Sequence, residues 1–252
     1  MDQNFILDCS DITQDKEWTI EKIIKERTPF GWYDLFRSPG VLAAAKTIQR
    51  VIDEKHGGVY VPLKKDLFWS YHLTPLSLVK VLIVCQDPYP GVYRDGIPHA
   101  NGVCLSNSKT RPIQPSLRNV FIELKRSDPT FVVPEHGDLI GWTMQGCLML
   151  NCCMTTSPGI IGAHGQIWQG IVKSTIEQIR LKRPDTVIVL LGRKAQALEK
   201  FCGSSKVFKH SHPSDNSFDK GEDCLFGSGL FLKINEHLIS KDTSPINWSY
   251  LP

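Results

Sequence analysis

Four short apolar runs decide what this chain can fold into: "VLIVC" at 81–85, "CLMLNCCMT" at 147–155, "TVIVLLG" at 186–192 and "KVFKHSH" at 206–212. The first three carry no charge and are rich in branched side chains, the pattern of a strand covered on both faces. Stretches long enough for helices separate each run from the next. Strands alternating with helices form crossover units, so the sequence predicts an α/β fold: a three-layer sandwich whose central, mostly parallel sheet is flanked by helices.

The helical stretches can be placed. Val41, Leu42, Ala45, Ile48 and Ile52 share one face, and Gly57 and Gly58 end that helix. Ser116 is expected to cap a helix running through Val120, Phe121 and Leu124. Trp168, Ile171, Val172, Thr175, Ile176 and Ile179 keep helical spacing. "KAQALEKFC" reads as a short helix, and "GLFLKINEHLI" as a closing one with Leu230, Phe231, Ile234 and Leu238 inward. Residues 1–18 are acidic and weakly periodic and read as a loosely held arm, leaving 19–252 as a single domain. The segments 88–101 and 213–224 are long for loops inside a compact domain, which points to function.

With 29 basic and 26 acidic residues the net charge is only +3, so any contact with nucleic acid must come from local geometry. No apolar run approaches the ~18–20 residues a bilayer span needs. "MDQNFILDCSDITQ" carries acids where a signal peptide carries bases. An intracellular location is expected, in nucleus, cytoplasm or virus particle. The eight cysteines include no CxxC pair and no Cys and His at zinc-finger spacing. Cys85, Cys152 and Cys153 sit in apolar runs, where a reduced thiol acts as a small hydrophobe.

If the sheet is parallel, Gln86 and Asp87 after the first strand, Asn151 in the second and His212 after the fourth gather at its carboxyl edge. Ligands bind at that edge in open parallel sheets. Pro88 and Pro90 remove two backbone donors, so the segment holding Asp87 and Tyr89 cannot pair as a strand and should be stiff. Asn151 either satisfies its amide on backbone or reads a ligand, and His212 before Pro213 is also a turn opener. "PIQPSLRN" is either an ordinary capped helix start or a phosphate site. There is no GxxxxGK[ST], no GxGxxG after a strand and no GxSxG elbow.

From about residue 28 to Trp248 the chain resembles the family 1 uracil-DNA glycosylases. "CQDPYP" is similar to the family's GQDPYH segment, "HANGVCLS" to the segment that follows, and "QPSLRNVFIEL" to its proline and serine loop. "LMLNCCMT" resembles its LLLN strand, "GAHGQIWQGIVKSTIEQI" its histidine-to-tryptophan stretch, "SHPS" its HPS loop and "PINW" its ending. The resemblance implies a monomeric hydrolase that removes uracil from single- or double-stranded DNA without cofactor or metal. No membrane attachment is expected, and the sequence leaves open whether a replication or repair protein is a further partner.

By the same resemblance Asp87 stabilises the sugar cation and positions water, and His212 donates to the departing uracil. Asn151 pairs with the base, Tyr89 excludes a thymine methyl and Gln86 adds backbone contacts. Pro115, Ser116, Pro213 and Ser214 hold phosphates.

The chain also departs from the family. Leu105 stands where the family carries a stacking phenylalanine. Pro90 stands where it usually has histidine, with a longer loop after it, and this DPYP segment and "PINW" are similar to poxviral members. Asn216 replaces the leucine that wedges into the duplex, leaving Phe218 as the nearby apolar candidate. These departures keep two rivals in view: a DNA-binding scaffold without catalysis, and a glycosylase of altered base preference.

Overall fold

The computed structural model describes residues 17–251. Four strands, β1 (Val81–Cys85), β2 (Cys147–Asn151), β3 (Val187–Leu191) and β4 (Val207–His210), form one sheet in the order β2-β1-β3-β4. Every pairing is parallel, with Val81 beside both Cys147 and Val187 and with Leu191 beside His210.

Successive side chains of each strand enter opposite cores, which explains the unbroken apolar runs. Leu82, Val84, Leu148, Leu150, Ile188 and Leu190 pack on one side, with α1 (Ile20–Glu26), α3 (Pro39–His56) and α7 (Gln169–Lys182). Val81, Ile83, Cys147, Met149, Val187 and Val189 pack on the other, with α5 (Pro115–Ser127), α6 (Ile140–Met144) and α9 (Leu230–Ser240). The expected three layers are therefore present. Each fully buried isoleucine or valine along these faces contributes about 1.5–3 kcal/mol.

The helices begin and end as their residues dictate. Ser38 caps α3, Pro39 opens it and Gly57 closes it in the left-handed conformation; Val41, Ala45, Ile48 and Ile52 are buried, while Leu42 is only half-buried. Ser116 does not cap α5. Proline suits the first helical position, where its missing N–H costs nothing, so Pro115 takes that place, Gln114 becomes the cap and Ser116 falls inside the helix. "KAQALEKFC" splits into α8 (Arg193–Gln196) and a 3-10 turn at Glu199–Phe201. The one-turn helices α2 (Tyr33–Phe36) and α4 (Trp69–Leu73), like α6, are too short to leave a periodic signal.

Of the expected arm, residues 1–16 lie outside the described residues, and Trp18 packs against the first core. The two long loops are held by their own hydrogen bonds. In the first, Val92 pairs with Pro98 and the rings of Tyr93 and His99 lie 4.0 Å apart. In the second, Ser211 N donates to Asp223 O at 2.7 Å and Phe226 N to Phe218 O at 3.0 Å. No helix among the described residues is long and apolar enough to cross a membrane.

Candidate active site

Because the strands run parallel, the residues that follow them emerge along one edge. There Gln86, Asp87, Tyr89, Leu105, Asn151 and His212 line a cavity of about 330 Å³. Ser116, from the first turn of α5, and Ser214 belong to the same wall. Pro115 and Pro213 do not line it.

Two acceptors in this cavity are buried without a partner, Oδ1 of Asp87 and Oδ1 of Asn151. A buried polar atom left unpaired costs roughly 1–3 kcal/mol, so both suit a ligand that supplies donors or positive charge. The other carboxylate oxygen of Asp87 is engaged: Lys194 Nζ donates to Oδ2 at 2.7 Å, and the Asp87 side chain is only 7% exposed. Lys194 stands in α8, just past β3, and Gly162 approaches it closely. A Cβ at Gly162, whose φ is +67°, would lie 2.8 Å from Lys194 Nζ.

Burial pushes the His212 imidazole down to about 4; Asp87 pulls it up and Lys194 pushes it further down. The ring is therefore neutral near pH 7. Its Nδ1 accepts from Ser214 N at 3.2 Å, which assigns the proton of the neutral ring to Nε2 and makes that atom a donor. An uncharged donor and a carboxylate thus share one cavity.

Tyr89 is fixed by more than its flanking prolines. Its hydroxyl donates to Leu105 O at 3.0 Å. Leu105 is buried and holds φ at +64°, a conformation that costs a residue with a Cβ about 1–2 kcal/mol. The bond from Tyr89 and the surrounding packing hold it there.

Asn119, one helical turn beyond Ser116, ties the two serine-bearing segments together. Its Nδ2 donates to Pro213 O at 2.9 Å and to Asp215 Oδ1 at 2.7 Å. Neither Asn119 nor Lys194 stands out in the sequence alone. For Lys194 a signal existed, since the carboxyl end of β3 must share the edge formed by β1 and β4.

Phe218 corrects an expectation. It is 7% exposed and belongs to the second core, with its ring 5.5 Å from that of Phe226, so it cannot enter a duplex without leaving that core. The cysteines of the described residues are free. Burial raises the thiols of Cys152 and Cys153, the latter to about 12, so neither is a nucleophile beside Asn151.

Residues 43–239 match the uracil DNA glycosylase superfamily. A uracil-DNA glycosylase of Azotobacter vinelandii is 36% identical over 224 residues, covering 87% of this chain and 91% of that protein. One from Mesomycoplasma hyopneumoniae is 37% identical over 207 residues, covering 81% and 90%. The crystal structure of mimivirus uracil-DNA glycosylase superposes with a TM-score of 0.80 at 26% identity, covering 94% of this chain and 90% of that one.

Proposed function

Because this chain belongs to the uracil-DNA glycosylase superfamily, we propose that it hydrolyses the N-glycosidic bond of deoxyuridine in DNA with Asp87 and His212 as the catalytic pair. Cleavage develops positive charge on the deoxyribose and negative charge on the departing base. A carboxylate on the sugar side and a donor on the base side stabilise both. Asp87, with one oxygen unpartnered, faces the cation and aligns the attacking water. His212 donates from Nε2 to uracil O2. A neutral imidazole suits this task, since its proton is shared with a weakly basic anion and not given up.

The base reaches the cavity by leaving the helix, at a cost of a few kcal/mol of lost stacking that pocket contacts offset. Asn151 accepts from N3–H with its unpartnered Oδ1 and donates to O4. Cytosine reverses that pattern and would leave buried polar groups unpaired. Tyr89, locked by Leu105 O, stands against C5 and excludes the methyl of thymine. Gln86 supplies backbone contacts to the base. Ser116 and Ser214 hold flanking phosphates, with Pro115 and Pro213 stiffening their segments.

The observation that carries this reading is the shared cavity of Asp87, Asn151 and a neutral His212. It is tested by base release from single-stranded oligonucleotides holding one deoxyuridine, with thymine and cytosine controls. Wild type should release uracil alone, and Asp87→Asn should lose about 100-fold or more of the rate. Binding of DNA without any release would leave a scaffold instead of an enzyme.

A further inference from the structure

Extruding a base from a duplex leaves a gap, and proteins that hold such a gap open insert an apolar side chain into it. That side chain must be exposed, beside the cavity that takes the base, and rigid enough to enter the stack. The segment after His212 offers no such group: Asn216 is polar, Phe218 is buried and Asp215 is bonded to Asn119. That segment also carries Asp215, Asp219, Glu222 and Asp223 against Lys220, an unfavourable charge for lying close to phosphates.

Another part of the cavity lining differs. Ile161 lines the cavity yet is 79% exposed, and its neighbour Ile160 is 57% exposed. Among the described residues, no other large exposed hydrophobe lines that cavity. The loop that carries them is clamped at each level. Thr156 pairs with Val61 through Val61 N to Thr156 O at 2.9 Å and Thr156 N to Val61 O at 3.0 Å. The Thr156 hydroxyl crosses the neck of the loop, donating to Ile160 O at 2.6 Å and accepting from Ala163 N at 3.1 Å. Gly159 N donates to Pro90 O at 2.8 Å, fastening the tip to the segment that holds Asp87 and Tyr89. Gly159 and Gly162 supply the positive φ values, +76° and +67°, that let the chain turn so tightly.

Isoleucine adds stiffness of its own, because branching at Cβ limits its rotamers and little side-chain entropy remains to be lost on insertion. The charge beside the tip is balanced, with Lys194 and its partner Asp87 both close to Gly162, in contrast to the acidic segment after His212. We propose that Ile161, supported by Ile160, is the wedge that enters duplex DNA and fills the space vacated by the extruded nucleotide. The proposal rests on the uracil-excising reading of the adjoining cavity.

The test compares uracil release from one sequence presented as a single strand and as U·A and U·G duplexes, by wild type, Ile161→Ala and Ile161→Leu. Loss of a wedge leaves the few kcal/mol of unstacking uncompensated, so the ratio of duplex to single-strand rate should fall about tenfold or more in Ile161→Ala. Ile161→Leu should keep most of that ratio. With 2-aminopurine beside the uracil, wild type should enhance fluorescence on binding and Ile161→Ala should enhance it less. A ratio and a fluorescence change equal to wild type would overturn the wedge while leaving uracil excision intact. A wild type inert even on the single strand would overturn the excision reading, and the wedge with it.

Discussion

Lys194 Nζ lies 2.7 Å from Asp87 Oδ2, across 107 residues of sequence, and places a positive charge against the carboxylate proposed to stabilise a sugar cation. The two charges oppose each other in that task, because the lysine offsets part of the field that Asp87 directs at the deoxyribose. At about 4 Å and the effective dielectric of a protein surface such an interaction reaches ~4 kcal/mol, and the 40% exposure of the lysine reduces it well below that.

Lys194→Met should therefore speed single-turnover uracil release from a single strand several-fold while raising KM, since a charge that favours DNA is lost. A fall in the single-turnover rate would show instead that the lysine chiefly holds Asp87 in position.

Leu105 lines the cavity proposed to take the base. Leu105→Phe should lower the inhibition constant for free uracil about tenfold, within the ~1–3 kcal/mol that base–aromatic stacking contributes. Equal inhibition of both proteins would mean that the left-handed backbone at this position turns the ring away from the base.

A buried histidine, His164, and a half-buried one, His212, make stability depend on pH in a defined direction. Burial lowers His212 and His164 to about 4 each, from an ordinary value near 6.5. Their folded values lie below the unfolded ones, so the unfolded chain takes up protons first as pH falls. Stability should be unaffected by them above about pH 6.5, fall between there and about pH 4, and level off below. Urea unfolding at stepped pH reads this slope, and His164→Gln should make it shallower. Proton NMR of His212 should likewise show no titration between pH 8 and about 5.

Asn119 holds the segment that follows His212. Asn119→Ala leaves Pro213 O without this donor and frees Asp215, so a loss of about 1–3 kcal/mol in unfolding free energy is expected, with a higher KM for DNA. Asn119→Asp, which removes the donor and sets a second carboxylate against Asp215, should lose more than the alanine variant. An unchanged KM would separate this tie from DNA binding.

Much of the molecule was legible in the sequence, because strands and long helices write their burial into local periodicity. Val81–Cys85 and Val187–Leu191 read as strands covered on both faces, and Ile171 to Ile179 as one face of a helix, and so they are. Parallel pairing then sends Asp87, Asn151 and His212 to a common edge, so the cavity's members followed from the order of elements. The tertiary structure alone decided who touches whom across that edge. The place of Lys194 just past β3 sends it to that edge, but only packing makes Asp87 its partner. Nothing in "HPSDNSFDKG" reveals that Phe218 turns into the core, or that the exposed apolar tip lies instead at Ile161. Local sequence fixes the period of a chain and the face each residue shares, whereas ion pairs, loop ties and the burial of a lone aromatic depend on packing between segments far apart along it.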